Sequence, residues 1–413
     1  MGSSSSHLTV VYDQSVFRGG ERVTGRVLLR ILHADKVHAN ELRLYFKCRE
    51  HTSVMVRRDG HHGAGGRDGV KTTWVEMNES RDVIAPQEFI LFHFDRGMPT
   101  LAKGDYVFPF TWCLPINCPA SFGFRSDRNH CNLRYTFQAS LSSSGALFGQ
   151  TNHCSQEADL HVEGPSFHVP NTPTVLVPRA DRMAICCCFS TGTLFSGGSL
   201  SATTLSNGQQ LSCLLALENH STCHVRAVEV VLVEEVSWRA RGHVKHMRFE
   251  RFRQRMSPEQ LGLTTAAPLG EKEASLNEAE VLRRVHNSVI ESAGALWAIP
   301  IQSMTNSYSS HLITVSHTLS IKLCTSFGVN NVQTFTNIVI QSPPAIANRT
   351  HHQMGSYEIP NPSAPMAMPA DWQPQEFPTL PMAQSVYAPS ADDPMIANAV
   401  YVPPSAPPAK SEP

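Results

Sequence analysis

Three cysteines in a row, Cys186-Cys187-Cys188, are the most conspicuous reactive side chains in this 413-residue sequence. In an extended strand neighbouring side chains point to opposite faces. Only Cys186 and Cys188 then share a side, and three thiolates do not converge on one metal without ligands from elsewhere. They read as buried core thiols. Cys113, Cys118, Cys131 and the adjacent His130 are zinc-type donors, but the paired CxxC spacing of a zinc site is missing. His161-Val162-Glu163 has the HxE spacing of zinc deaminases without the PCxxC that completes their site. Gly197-Gly198-Ser199-Leu200 lacks the GxSxG of a nucleophile elbow, and no Walker loop or GxGxxG follows a strand pattern. These residues predict a protein that is not an enzyme and that holds no metal and no cofactor.

Two further features concern surfaces. From Arg239 to Arg255 the chain carries Arg239, Arg241, Lys245, Arg248, Arg251, Arg253 and Arg255, with two histidines, against the single Glu250. Such a cluster can attract phosphates on a membrane surface or on a phosphorylated partner. The same run also fits the solvated face of a strand or a hairpin tip, and both readings stand at this point. At the amino terminus MGSSSS fits the pattern for myristate on Gly2, with Ser6 in the required place. One acyl chain anchors only marginally, so a second signal is needed, and the basic run is a candidate for it.

The last 71 residues hold 16 of the 28 prolines and no periodic apolar pattern, so they are expected to stay disordered, with function confined to short linear motifs. One tetrapeptide occurs there twice: Pro362-Ser363-Ala364-Pro365 and Pro404-Ser405-Ala406-Pro407. From the tail's own composition a P-[ST]-A-P is expected about 0.08 times, so two copies are not what chance supplies. The prolines preset an extended backbone that loses little entropy on docking, and the small Ser-Ala pair enters a narrow groove. The two copies lie roughly 35 Å apart on a flexible chain, which lets two domains be held at once.

The elements that must position these residues read as strands. In RVTGRVLLRI (Arg22 to Ile31) Val23, Gly25, Val27, Leu29 and Ile31 share one side, the period of two of a half-buried strand. ELRLYFKC (Glu41 to Cys48) repeats it, and similar runs occur at Phe89 to Phe94, Tyr106 to Trp112 and Leu133 to Leu141. After a connector containing three prolines, His168 to Pro178, come further strand candidates at Gln209 to Leu217, His224 to Trp238, Leu312 to Leu323 and Val332 to Ile340. Only ASLNEAEVLRR, within Pro258 to Arg284, suggests a short helix. Many short strands with almost no helix predict an all-β protein of two immunoglobulin-like β-sandwiches in tandem. The expected division is a flexible start (1–7), a first domain (8–167), a hinge connector (168–182), a second domain (183–342) and the tail (343–413). Basic and acidic residues balance at 34 against 35, which argues against nucleic acid, and no stretch has the form of a secretory leader or a membrane span. Eleven cysteines, an odd number, fit free thiols in a reducing compartment, so a cytoplasmic protein is expected.

These stretches resemble the α-arrestins, the arrestin-domain-containing proteins. YDQSVFRGGERVTGRVLLRI is similar to the family's opening. LAKGDYVFPFTWCLPINCPASF followed by LRYTFQASL resembles its G-x-x-x-F-P-F-x-x-x-L-P block and R-Y strand. NTP (Asn171 to Pro173), CCCFSTGTL and LENHST resemble the start of the second arrestin domain, and LWAIPIQSM with LITVSHTLSIKL its closing strands. The likeness spans about residues 8 to 345. It implies two arrestin sandwiches joined by a short hinge and a non-catalytic adaptor that binds cytosolic parts of transmembrane cargo, peripheral on plasma membrane or endosomes. PSAP resembles the late-domain motif that binds the ubiquitin-E2-variant domain of the ESCRT-I complex. The PPxY motif by which α-arrestins dock HECT-type ubiquitin ligases is missing: the Pro-Pro pairs read PPAI, PPSA and PPAK. Arg57 to Val70 and Arg255 to Ser292 are insertions relative to the family. A redox-linked scaffold acting through a reactive cysteine, as in thioredoxin-interacting relatives, is the alternative role.

Overall fold

A computed structural model describes residues 6–33, 39–60, 71–94, 103–145, 149–165, 173–185, 189–263, 268, 277–291, 294–326 and 329–343. Gly2, Cys186 to Cys188 and both PSAP motifs lie outside these residues. The described residues are nearly all strand, and they form two sandwiches within one compact unit.

In the first sandwich β1 (Ser6–Tyr12), β3 (Arg22–Ile31) and β6 (Gly104–Cys113) form one sheet. The facing sheet runs β2 (Val16–Arg18), β9 (Gly149–Glu163), β8 (Asn129–Gly145), β4 (Glu41–Gly60) and β5 (Lys71–His93), with β7 (Phe122–Ser126) also paired to β8. The alternation in Arg22 to Ile31 becomes an alternation of exposure, and Val23, Val27, Leu29 and Ile31 are buried. They meet an aromatic cluster in which Phe46 lies 4.0 Å from Trp112 and 5.3 Å from Phe137. Each such ring contributes about 1.5–3 kcal/mol through its burial.

The second sandwich repeats the plan. β10 (Thr174–Ile185), β11 (Phe189–Leu200), β13 (Gln210–Ser221) and β16 (Ala295–Pro300) form one sheet. The other comprises β12 (Thr204–Ser206), β19 (Val332–Gln341), β18 (Ile313–Thr325), β14 (Val225–Ala240) and β15 (His243–Met256), with β17 (Tyr308–Ser309) beside β18. The likeness between the halves reaches single hydrogen bonds. In each, a three-residue strand (β2, β12) pairs in parallel with the last strand of its own sandwich (β9, β19). A turn follows in which the Glu21 N–H donates to Arg18 O (3.0 Å) and the Gln209 N–H to Ser206 O (3.1 Å). The Glu21 and Gln209 side chains accept in return from the N–H groups of Arg18 and Ser206 (2.8 and 2.7 Å). Both turns need φ > 0 at the third residue, and glycine supplies it: Gly20 at +82° and Gly208 at +90°.

The structure departs from the expected elements in two places. The stretch read as connector is already strand from Thr174. There β10 pairs with β11, and the register shift between Leu176 and Arg179 accommodates Pro178, whose missing N–H is tolerated on a sheet edge. The helix α1 (Glu278–Ile290) starts later and runs further than ASLNEAEVLRR suggests, because Asn277 is still extended and Val281, Val285 and Val289 continue one face at intervals of four. That face packs on Phe195, Leu214 and Ala216 on the outer side of the β11–β13 sheet. Tertiary packing thus overrides the poor helix propensity of three valines.

Candidate functional site

From His243 on, the basic run forms the edge strand β15, folded back through the turn residues Arg241 (φ 49°) and Gly242 (φ 83°) on β14, whose end carries Arg239. The run is thus part of a hairpin, the form in which it would present its charges to any phosphate-bearing surface. Its alternation changes phase at a bulge, where Leu232 faces Phe252 and Val233 faces Glu250, leaving Arg251 as the extra residue. Before the bulge Met247 and Phe249 face inward; beyond it Phe252 and Met256 do. Each pair thereby reaches apolar neighbours, and Arg251 is freed to turn toward the sheet.

The arginines have partners nearby. Arg253 pairs with Glu229 and Glu250 (both 2.6 Å), and Arg248 with Glu235 (3.7 Å). Arg251 donates to Glu234 Oε1 (2.7 Å) and lies 5.0 Å over the Phe249 ring. Glu234 is fully buried; it also accepts from the Thr305 N–H (3.0 Å) and from Nε2 of the equally buried His317 (3.2 Å). Burial pushes the Glu234 carboxyl up, but the bonds from His317, Arg251 and the Thr305 N–H outweigh it and hold the group below its ordinary range. Arg239, Arg241 and Lys245 lie at the turn end of the hairpin, and Arg255 sits opposite Glu229 in the ladder.

That turn end meets the first sandwich. Thr52 Oγ1 donates to Arg239 O (2.7 Å), Trp238 Nε1 to Ser53 O (3.2 Å) and the Arg241 N–H to Glu79 Oε2 (2.6 Å). Beneath these bonds Val54, Met77 and Cys131 of the first sandwich form one apolar cluster with Val236, Trp238, Ile313 and Val315 of the second. Phe124 stacks on Phe249 at 5.8 Å, and the Tyr308 hydroxyl donates to the buried Glu50. The segment leaving β19 is also held from both halves. Arg18, paired with Glu163 (2.6 Å), donates to Pro343 O (3.1 Å), while Ser206 Oγ donates to Ser342 O (3.1 Å). Arg18 and Ser206 occupy equivalent positions in the two duplicated turns.

The other candidates are placed separately. His130 and Cys131 are neighbours on β8 and point to opposite faces, and His161 bonds Ser121 (3.1 Å) while Glu163 serves Arg18. Among the described residues no three His, Cys, Asp or Glu side chains gather closely enough to hold a metal. Burial pushes the thiols of Cys48, Cys118, Cys131 and Cys213 up to about 12, so they are protonated and poorly nucleophilic at neutral pH. The Glu234–His317 contact and the junction were not read from the sequence: their partners lie far apart in the chain and carry no local spacing signal.

Residues 8–158 match the arrestin (or S-antigen) N-terminal domain family. The first sandwich thus carries an arrestin N-terminal domain, a domain of a family whose members are in general non-enzymatic adaptors that bind cargo and trafficking machinery. No described helix is long and apolar enough to cross a membrane.

Proposed function

We propose that this protein is an α-arrestin-type trafficking adaptor. Its two sandwiches, 8–167 and 183–342, engage cytosolic segments of transmembrane cargo, and its tail recruits ESCRT-I through Pro362-Ser363-Ala364-Pro365 and Pro404-Ser405-Ala406-Pro407. The observation that carries this reading is the arrestin N-terminal domain joined to a chain segment that bears two copies of one four-residue docking motif. The clamp on Ser342 and Pro343 favours it, because the segment that leads to the motifs departs from a fixed point contacted by both sandwiches. The protein then works in the cytoplasm, peripheral to plasma membrane or endosomes, with Gly2 as a candidate acylation site. The Pro-Pro pairs read PPAI, PPSA and PPAK, so HECT-type ligases have no PPxY to dock on in this sequence.

The deciding experiment is a pull-down of the ubiquitin-E2-variant domain by the full chain. Pro362→Ala with Pro365→Ala, combined with Pro404→Ala and Pro407→Ala, is expected to abolish capture, and each pair alone to weaken it. Unchanged capture by the quadruple variant overturns the reading. Protonated thiols at Cys48, Cys118, Cys131 and Cys213 weigh against the reactive-cysteine alternative at those positions.

A further inference from the structure

We propose that His51, His130 and Asn132 form a binding site for one divalent transition-metal ion of the zinc or cobalt kind, on the outer face of the first sandwich. Three positions of the β4–β8 ladder carry the argument. His51 stands directly across from Asn132, and Ser53 across from His130, so the three side chains occupy adjacent corners on one side of the sheet. The two imidazole centroids are 5.2 Å apart. A ring nitrogen lies about 1.15 Å from its centroid, and with Zn–N of about 2.0–2.1 Å two imidazoles at a tetrahedral angle have centroids about 5.2 Å apart.

The remaining atoms complete the arrangement. His51 Nδ1 faces Ser80 Oγ at 3.3 Å, directly across the other ladder. A proton on Nδ1 donated to that hydroxyl leaves the Nε2 lone pair for a metal and fixes the ring, the usual role of a group behind a ligating histidine. Asn132 Oδ1 is buried and has no hydrogen-bond partner among the described residues. Leaving such an acceptor unmet costs free energy that a cation would recover.

Access to His130 and Asn132 comes from a hollow of about 410 Å³ lined by Gly123, Phe124, Arg125, His130, Cys131 and Asn132, with Gly123 directly across from Asn132 on β7. The surrounding charges are mixed. Glu76 favours a cation beside His51 while Arg134 and Arg49, each paired with a carboxylate (Asp159 and Asp82), oppose it, and Arg125 is exposed with its Nε on Asp127 O. Two imidazoles and one amide oxygen make a labile site completed by water, in contrast to a closed structural zinc.

The test is a Co²⁺ titration of the full chain under reducing conditions, read by absorbance. The expected result is one equivalent with visible ligand-field bands, no sulfur-to-cobalt charge-transfer band, and displacement by Zn²⁺. His51→Asn and His130→Asn are each expected to weaken binding at least tenfold, and Asn132→Asp to tighten it, with far-ultraviolet dichroism unchanged. His243→Asn at the β14–β15 turn serves as the control and is expected to bind as the parent does. The absence of saturable binding, a purely thiolate spectrum, or undiminished binding by the double variant His51→Asn, His130→Asn overturns the proposal.

Discussion

Replacing Glu234 by Gln tests whether the basic hairpin is anchored by buried electrostatics. The carboxylate receives three donors: His317 Nε2, the Thr305 N–H and Arg251. A glutamine of the same size offers one acceptor oxygen and turns an amide N–H₂ toward at least one of those donors. Arg251, the extra residue of the bulge, can turn to water, but His317 is fully buried and cannot. Breaking a buried ionic contact from one side typically costs about 3–5 kcal/mol. Distributed over a domain of this size, that lowers Tm by about 6–20 °C. Urea unfolding followed by the fluorescence of Trp238 and Trp297, both buried in the second sandwich, reads the loss directly. The pH dependence supplies a second check. Because the folded carboxyl titrates below its unfolded range, its stabilisation is present above the ordinary carboxylate pKa and fades as pH falls through the folded one. The gap between parent and Glu234→Gln is therefore expected to be full at neutral pH and to close on acidification. A gap below about 1 kcal/mol at pH 7, the size of an exposed ion pair, refutes the reasoning.

Three more outcomes follow from other contacts. Tyr308→Phe removes the hydrogen bond to the buried Glu50 carboxylate, whose Oε2 has no partner among the described residues, and is expected to cost about 1–3 kcal/mol in urea; Glu50→Gln added to it should recover part of the loss. At Gly208, where φ is +90° and a Cβ would meet nothing within 4 Å, Gly208→Ala is expected to cost about 1–2 kcal/mol from backbone strain alone, and a neutral result argues against the duplicated turn geometry. Iodoacetamide at pH 7.5 is expected to leave Cys48, Cys118, Cys131 and Cys213 unmodified in the native chain, as peptide mass spectrometry would show; rapid labelling of any of them contradicts the burial assigned to their thiols.

Sequence alternation was readable wherever one face of a strand meets a core. Arg22 to Ile31 is strand β3 with the predicted side buried, and the long apolar run from His224 lies in β14, which is buried for most of its length. Legibility failed where the cause was distant. Val285 and Val289, past the end of the stretch read as helix, join its face only because the apolar outer side of β11 and β13 is there to receive them. Likewise nothing near His51 announces His130: the pair exists only because β4 and β8 are adjacent and in that register.

The basic run shows why a charge count along one segment misleads for a strand. A strand on a sheet edge has a neighbour, and here that neighbour is the segment just before it. Counting outward from the Arg241-Gly242 turn sets Glu235 opposite Arg248, and beyond the bulge Glu229 opposite Arg255. Glu229, Glu234, Glu235 and Glu250 thus answer much of the positive charge that the run shows when read alone. What positive charge remains concentrates toward Arg239, Arg241 and Lys245, at the end that contacts the first sandwich. A phosphate-bearing partner or membrane drawn to this hairpin would therefore be drawn to the junction between the sandwiches rather than along the strand. Substituting those three residues is the variant that separates electrostatic binding from hairpin stability, since Arg248, Arg251 and Arg253 are tied to carboxylates.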